Sequence, residues 1–440
     1  MSTANAVVLK MIFINTKKQK GNAIMKPNTT KPDMRWFEEG RFGLFMHWGL
    51  YALNGESEWL MYNSEMTPEE YRERFFDYFE PDLFDPKEWA RLAKDAGMKY
   101  FVITAKHHDG FCLWDTKTTD FNAMKAPLCR RDLLKDIIEA FRAEGLKVGV
   151  YCTLPDWSRP DMPITDRHPL RNRPEERDCS TFAPFLREQV RELLTNYGKI
   201  DLIWFDGNYL ETQHVWDAPG LNEMIRKMQP GILINRLPGF SDFHSPEWTI
   251  PKDGIRDEDG NLLPWEGCQV FNGGWCYPRY DRQHRKTAKQ VVEMLIRHAS
   301  RGGNLLLNAG PTSRGCFDEY ETEIFRALSR WMKWNGRSIT GCTVAPADFP
   351  EPENGLYTYN PKTNRLYLHL FSWPDHRVIL PNLGGKVKFA QLLETGCELM
   401  LTEYDPTNVH RTRLQEGDLL VKLPIESPKT EVPVIELFLK

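Results

Sequence analysis

One carboxylate of this 440-residue chain stands where a buried strand is expected to end. Asp206 follows the apolar run Leu202–Phe205, and Gly207 behind it leaves room for a ligand to approach the backbone. Taking a carboxylate out of water costs free energy unless it is paired or hydrogen-bonded, so such groups are retained mainly at working sites. The pattern therefore favours a functional role for Asp206, and a helix N-cap is the structural alternative.

Two glutamates downstream are candidates for a second carboxylate, and both are expected in loops. Glu247 and Glu266 each have a tryptophan as a neighbour. Apolar surroundings desolvate a carboxyl group and favour its protonated form, which a general acid requires. Glu58, which precedes Trp59, is a third candidate. Two carboxylates held in different surroundings would equip a site for acid–base chemistry.

Further polar or aromatic side chains stand at or near the ends of this and other apolar runs. They are His47, His107, His108, Tyr151, Trp204 and Arg236. Any one of them alone is more often structural than functional, but a set on one rim favours a binding site. The adjacent histidines point to opposite faces of an extended chain, and the sequence has no HExxH or HxH, so we expect no metal. Hydrogen bonding to a polyhydroxylated ligand fits better.

The elements that must position these residues are typical of a barrel. Six short apolar runs alternate with helix-like segments: Phe42–Trp48, Tyr100–Ala105, Val148–Cys152, Ile200–Phe205, Ile232–Asn235 and Leu305–Asn308. Apolar spacing predicts helices over 85–96 and 131–144. Continuously apolar strands between helices indicate parallel strands covered on both faces. We predict an α/β fold, a (β/α)8-like barrel with its working side chains at the C-terminal strand ends. An open doubly wound sheet is the alternative.

The pattern changes twice along the chain, which suggests three segments. Residues 1–32 are predicted to be a disordered leader, and residues 33–342 the barrel domain. After about residue 343 helical periodicity stops, and apolar runs are separated by Pro, Gly, Asn and Asp. That texture predicts a small antiparallel β-sandwich over residues 343–440.

Bulk composition argues against several classes of protein. The formal net charge of −4 and the pI near 6.3 provide no basic excess for nucleic acid or an anionic membrane. The apolar residues near the N-terminus are interrupted by Lys10 and precede no cleavage site, so neither a signal peptide nor a membrane span is expected. The nine cysteines lack CxxC spacing and suit a reducing compartment. We expect a cytoplasmic protein, and homo-oligomerisation stays open.

Taken together, these segments resemble glycoside hydrolase family 29, the α-L-fucosidases. The resemblance covers roughly Trp36 to Gly341, and its most specific parts are KHHDGF at 106–111 and GGNLLLN at 302–308. The other matching segments are Arg41–Gly49, Glu58–Trp59, Phe84–Trp89, Ala96–Tyr100, Trp204–Gly207, Ser245–Glu247 and Trp265–Glu266.

The resemblance implies a retaining exo-α-L-fucosidase that acts on fucosylated oligosaccharides or glycoconjugates without a metal or another cofactor. It makes Asp206 the nucleophile and Glu247 the acid/base, with Glu266 as the less favoured acid/base or a substrate contact. The residues that it implies around the sugar are His47, Glu58, Trp59, His107, His108, Tyr151, Trp204, Arg236 and Trp275. Phe45 or Trp275 could face the 6-methyl group of fucose.

Three other functions fit the same residues. A different retaining barrel glycosidase, for example one acting on α-galactosides, or a catalytically silent fucose-binding protein would share such a pocket. Activity on an aryl α-L-fucoside separates both from a fucosidase. A metal-dependent barrel hydrolase is the third alternative, and sensitivity to a chelator would reveal it.

Overall fold

The structure, a computed structural model, describes residues 32–173, 175–207, 215–281, 283–407 and 414–440. The described residues belong to one compact unit that begins at Pro32. Except for Pro32, the leader predicted over 1–32 lies outside the described residues. The domain boundary between residues 342 and 343 stays a prediction.

Seven parallel strands form the sheet that carries the site. They are β1 (Phe42–Met46), β2 (Tyr100–Lys106), β3 (Lys147–Thr153), β4 (Leu202–Asp206), β5 (Leu233–Asn235), β6 (Glu266–Val270) and β7 (Asn304–Ala309), in the order β5-β4-β3-β2-β1-β7-β6. Nearly all of their residues are buried, as continuous apolar runs predict for strands covered on both faces. The predicted (β/α)8-like class is confirmed, as a curled parallel sheet of seven regular strands.

Helices precede the first strand, follow the last and lie between most of the others. They are α1 (Arg35–Gly40), α2 (Leu60–Asn63), α3 (Pro68–Phe75), α4 (Pro86–Asp95), α5 (Leu133–Ala143), α6 (Phe182–Asn196), α7 (Ala218–Met228), α8 (Ala288–Ser300) and α9 (Glu319–Asn335). The two helices predicted from apolar spacing are α4 and α5. Each begins at an aspartate N-cap, Asp85 or Asp132, whose side chain accepts from backbone N–H groups of the first turn.

An irregular segment, residues 242–247, closes the gap between the edge strands β5 and β6. On one side, the Asp242 N–H donates to the Ile234 carbonyl at 2.8 Å. On the other side, the Glu266 N–H donates to the His244 carbonyl at 2.8 Å, and Glu247 forms a bridge with Cys268. The segment thus takes the place of an eighth strand and brings Glu247 to the barrel rim.

Strand β6 is the one that the apolar pattern missed. Its sequence, EGCQV, contains two polar side chains, yet all five residues are buried. Glu266 is its first residue and pairs with Asn304, the first residue of β7. The prediction that Glu266 lies in a loop is therefore wrong, because this residue starts a strand at the N-terminal end of the sheet.

The C-terminal part consists of two antiparallel sheets. The strands are β8 (Gly355–Asn360), β9 (Arg365–Leu370), β10 (Arg377–Leu380), β11 (Val387–Leu392), β12 (Leu401–Glu403), β13 (Leu419–Lys422) and β14 (Val434–Leu439), paired as β11-β14-β9-β8 and β10-β13-β12. Both sheets contribute to one apolar core, which confirms the predicted sandwich. Within the described ranges, the helices are all too short or too polar to cross a membrane.

Candidate active site

A cavity of about 570 Å³ opens at the C-terminal ends of the parallel strands. It is lined by Phe45, His47, Glu58, Trp59, His107, Tyr151, Arg167, Trp204, Asp206, Gly207, Arg236, Glu247, Trp248 and Trp275. Of the twelve site residues predicted from the sequence, ten lie in this wall, and His108 and Glu266 do not. The volume falls in the ~300–1,000 Å³ range of small-molecule sites.

Asp206 is the last residue of β4 and turns its carboxylate into the cavity. Its Oδ2 accepts from the Tyr151 hydroxyl at 3.1 Å, and its Oδ1 accepts from Arg236 Nη1 at 2.9 Å. At Gly207 the backbone turns with a φ of 73°, and a Cβ there would lie 2.3 Å from Pro155 Cδ. Glycine is therefore required at this turn. Two donors thus orient a carboxylate that is still 35% exposed.

Arg236 holds the two candidate catalytic carboxylates together. Its Nη1 donates to Asp206 Oδ1 at 2.9 Å and to Glu247 Oε1 at 3.3 Å, so these oxygens are at most about 6.2 Å apart. That upper limit lies below the ~6.5–9.5 Å of inverting glycosidases and allows the ~5–5.5 Å of retaining ones. Burial alone would lower the pKa of Arg236, but the two carboxylates outweigh burial and raise this pKa above its ordinary value.

The guanidinium of Arg236 is itself fixed from two sides. Its Nη2 donates to the Ser245 carbonyl at 3.1 Å, and its Cζ lies 4.5 Å from the centre of the Trp204 ring. The backbone of Arg236 has a φ of 53°, which non-glycine residues seldom adopt. Backbone strain of about 1–3 kcal/mol is typical of residues that a functional site holds in place.

Glu247 lies at the rim of the cavity rather than in its depth. Its side chain is 41% exposed, and the neighbouring Trp248 is itself 55% exposed. The tryptophan therefore does not desolvate Glu247 in the way that the sequence suggested. An open position gives the carboxyl group access both to a leaving group and to a water molecule, which an acid/base must serve in turn.

A chain of hydrogen bonds runs from His107 through Tyr151 to Asp206. Because Tyr151 donates its single proton to Asp206, it accepts from His107 Nε2 at 3.1 Å. His107 therefore carries its proton on Nε2. Burial holds the pKa of His107 well below its ordinary value, so the ring is neutral. The chain orients the Asp206 carboxylate without placing a second cation beside it.

Asn308 on β7 selects the tautomer of His47. The Asn308 Nδ2 donates to the carbonyls of Trp275 at 2.6 Å and Gly274 at 3.5 Å, which turns its Oδ1 towards His47 Nδ1 at 2.7 Å. His47 must therefore donate from Nδ1 and offer Nε2 as an acceptor. Burial lowers the pKa of His47 to about 4, so the ring is neutral and suits a sugar hydroxyl.

Glu58 is a buried carboxyl group in the cavity wall. Burial raises the pKa of Glu58 to about 7, and the charge of Asp206 adds to the effect, although hydrogen bonds from Cys276 oppose it. Near neutral pH this group can donate a hydrogen bond when protonated and accept one when ionised. Glu58 is thus suited to a ligand whose hydroxyl groups do both.

Two predicted site residues support the wall from behind. His108 turns away from the cavity and stacks on Trp157, with ring centroids 3.7 Å apart. Glu266 is fully buried and accepts from the Tyr100 hydroxyl and, at 3.2 Å, from Trp204 Nε1. Burial raises the pKa of Glu266 to about 7. Because Trp204 lines the cavity, Glu266 can affect the site only through its neighbours.

Two wall residues, Arg167 and Trp248, escaped the sequence analysis. Trp248 had a signal, because it directly follows Glu247. Arg167 had none, since it lies in the long connection 154–181 between β3 and α6, which shows no regular periodicity. In the part of the chain that the structure describes, no group of three or more His, Cys, Asp or Glu side chains is arranged to hold a metal ion.

Glu321 of α9 ties together two loops next to the cavity. Its Oε1 accepts from Asn272 Nδ2 at 2.6 Å and from the Gly310 N–H at 3.0 Å, whereas its Oε2 has no hydrogen-bond partner among the described residues. The Asn272 loop continues to Trp275, and Gly310 follows β7. Burial raises the pKa of Glu321 to about 8, and Asp318 adds to the effect.

This buried carboxyl group should make the protein less stable as the pH rises from about 4.5 to about 8. Over that range the unfolded chain releases the proton of Glu321 while the folded chain keeps it, so unfolding becomes more favourable. Glu321→Gln keeps the Oε1 acceptor and cannot ionise. Between pH 5 and pH 8, the free energy of unfolding of the wild type, measured in urea, should fall by at least about 2 kcal/mol more than that of Glu321→Gln. If the free energies of unfolding of the wild type and of Glu321→Gln changed in parallel with pH, the prediction would be contradicted. Glu319→Gln, which changes an exposed glutamate of the same helix, is the control and should follow the wild type.

Known proteins similar to this chain are α-L-fucosidases. The family model for α-L-fucosidase matches residues 11–337. Isoenzyme 1 from Paenibacillus thiaminolyticus is 40% identical, with a TM-score of 0.87 over 92% of this chain and 98% of that chain. An α-L-fucosidase of family GH29 from Bacteroides thetaiotaomicron, trapped as a covalent intermediate with 2-fluoro-fucosyl fluoride, is 28% identical. Its TM-score is 0.80, over 94% of this chain and 98% of that chain.

Curated sequences agree with the solved structures. Human plasma α-L-fucosidase is 28% identical over 369 residues, which cover 77% of this chain and 76% of the human protein. The resemblance found in the sequence motifs is thereby confirmed. Because the family model spans most of the chain, this protein belongs to the α-L-fucosidase family, glycoside hydrolase family 29.

Proposed function

We propose that the protein is a retaining exo-α-L-fucosidase that hydrolyses terminal α-L-fucosides through a covalent fucosyl-enzyme. In this proposal Asp206 is the nucleophile and Glu247 is the acid/base. The observation that carries the two roles is the Arg236 bridge, in which one nitrogen bonds both carboxylates inside the cavity. Membership of the family supports the substrate and the retaining course of the reaction.

In the first step, Asp206 attacks the anomeric carbon while Glu247 gives its proton to the leaving oxygen. Asp206 loses its negative charge to the new ester bond, and Glu247 gains one. Because Arg236 contacts both groups, the same guanidinium balances one negative charge before and after the step. A fixed cation that needs no rearrangement lowers the cost of moving charge in the transition state.

In the second step, Glu247 takes a proton from a water molecule, and the resulting nucleophile attacks the same anomeric carbon. The bond to Asp206 breaks, its carboxylate is restored, and fucose leaves with its original configuration. Tyr151 and Arg236 both donate to Asp206, so they stabilise the departing carboxylate. The 41% exposure of the Glu247 side chain leaves a path for that water molecule.

The wall of the cavity has an apolar part and a polar part, as fucose has. Phe45 and Trp275 pack edge to face with ring centroids 6.0 Å apart and present an apolar surface for the 6-methyl group. His47, His107 and Glu58 provide donors and acceptors for the hydroxyl groups. A sugar with a 6-hydroxyl group in place of the methyl would lose roughly a factor of 10² in kcat/KM at such a surface.

Proton NMR of the first product tests this function. We expect an aryl α-L-fucoside to release α-L-fucose first, followed by mutarotation, with no effect of a chelator. An aryl α-D-galactoside serves as the control for sugar specificity. Release of β-L-fucose first would contradict the retaining mechanism. A protein that binds fucose but turns over no α-L-fucoside would be the silent binding protein instead.

A further inference from the structure

Trp248 is an exposed aromatic side chain at the mouth of the cavity. It lines the same cavity as Asp206 although it is 55% exposed. Its ring packs edge to face on Trp275, with centroids 5.0 Å apart, and Trp275 packs in turn on Phe45. Phe45 is only 1% exposed, so the three rings form a continuous aromatic wall from the buried interior to the rim.

The backbone holds Trp248 in a conformation that a bulky residue seldom adopts. Its φ is 60°, in the left-handed region. Such a conformation costs free energy, and ligand sites are one of the places where proteins retain it. The preceding residue, Glu247, is anchored by its bridge to Cys268 of β6. An anchored loop therefore presents the indole ring at the cavity mouth.

The position of Trp248 along the chain places it beside the leaving group. In the proposed reaction, Glu247 must come within ~2.6–3.2 Å of the glycosidic oxygen to protonate it. Consecutive Cα atoms are ~3.8 Å apart, so the group attached to that oxygen lies within reach of the next side chain. In that reaction the anomeric carbon must also reach Asp206, so the leaving group points towards the more exposed Glu247 and the rim.

We propose that Trp248 is the platform of a leaving-group subsite that binds a pyranose ring. This inference rests on the proposed function and narrows its substrate class to glycans in which fucose is attached to another sugar. The C–H face of a pyranose is apolar and can lie on an indole ring, whose large rigid surface costs little conformational entropy to present. Arg167 lines the same cavity and adds donors that suit the hydroxyl rim of that second sugar.

Two substrates with alcohol leaving groups separate ring binding from chemistry. An α-L-fucosyl-galactose disaccharide and methyl α-L-fucoside both need protonation by Glu247, but only the disaccharide can cover Trp248. Trp248→Asn removes the ring and keeps a residue that tolerates a positive φ. We expect this variant to lose about tenfold in kcat/KM on the disaccharide, the usual size of an aromatic contact. Its loss in kcat/KM on methyl α-L-fucoside should be several-fold smaller, because this substrate has no second ring to lie on Trp248.

Two further variants act as controls. Trp248→Phe should keep most of the preference for the disaccharide, because it keeps an aromatic face. Trp334→Ala removes a similarly exposed ring on α9, 51% exposed, and should leave kcat/KM unchanged on both substrates. Equal losses on both substrates would show that Trp248 only supports Glu247, and no loss on either would also overturn the subsite. Failure of the wild type on both substrates would instead refute the proposed function itself.

Discussion

Asp206→Ala should reduce turnover of an aryl α-L-fucoside by roughly 10⁴-fold, because the side chain that forms the covalent bond is gone. The donors Tyr151 and Arg236 remain in place and lose only their acceptor. Asp206→Asn keeps the shape of the carboxylate but not its charge, and should be equally inactive. Comparable loss in both variants would separate nucleophilic chemistry from a packing defect.

Added azide provides the second half of this test. In Asp206→Ala, a small anion can enter the space left by the missing carboxylate and attack the anomeric carbon from the side on which Asp206 would attack. We expect activity to return with azide and β-L-fucosyl azide, the inverted product, to accumulate. Asp95→Ala, at the exposed end of α4, should behave like the wild type. The nucleophile assignment is wrong if Asp206→Ala keeps a kcat within about tenfold of the wild type.

Much of the barrel and of its rim could be predicted because strands that are buried on both faces are continuously apolar in sequence. Strands β1 to β5 and β7 are continuous apolar runs, so their ends could be located to within a few residues. Polar residues at those ends had to meet on one rim, since parallel strands end on the same side of the sheet. Asp206 and Arg236 are such residues, and they are hydrogen-bonded to each other.

The parts that escaped prediction depend on partners far away in the chain. Glu266 looks like a loop residue because a buried glutamate is costly, and only the donors Tyr100 and Trp204 make its place in β6 tolerable. Segment 242–247 fills the place of a strand without a strand pattern, because its hydrogen bonds go to β5 and β6 irregularly. Neither arrangement leaves a local periodicity.

The protonation of the two cavity histidines, His47 and His107, could not be predicted from a sequence pattern either. His47 and His107 stand at strand ends, and this much could be predicted. Which nitrogen carries the proton depends on Asn308 for His47 and on Tyr151 for His107. Both partners come from other strands, so the tautomers follow from the folded geometry alone. The same geometry makes His47 an acceptor and leaves Arg236 to supply positive charge.

The choice between Glu247 and Glu266 as acid/base can be settled by how each variant depends on the leaving group. An alkoxide leaves slowly without a proton, whereas an activated phenolate needs little help. Loss of the true acid/base should therefore slow natural fucosides much more than aryl fucosides. Loss of a residue that only holds the pocket in shape should slow both to a similar degree.

We expect Glu247→Ala to lose about 10²–10⁴-fold in kcat/KM on a fucosyl disaccharide and far less on a dinitrophenyl α-L-fucoside. With the activated substrate, hydrolysis of the fucosyl-enzyme should become rate-limiting, because no base remains to deprotonate water. Azide needs no base and should accelerate that step, giving α-L-fucosyl azide with retained configuration. Glu266→Ala is the matched control. The Glu266 carboxyl group contacts Tyr100 and Trp204 behind the wall, so activity on both substrates should fall to a similar degree and azide should not restore it. The reverse pattern, with azide rescuing Glu266→Ala and not Glu247→Ala, would transfer the acid/base role to Glu266.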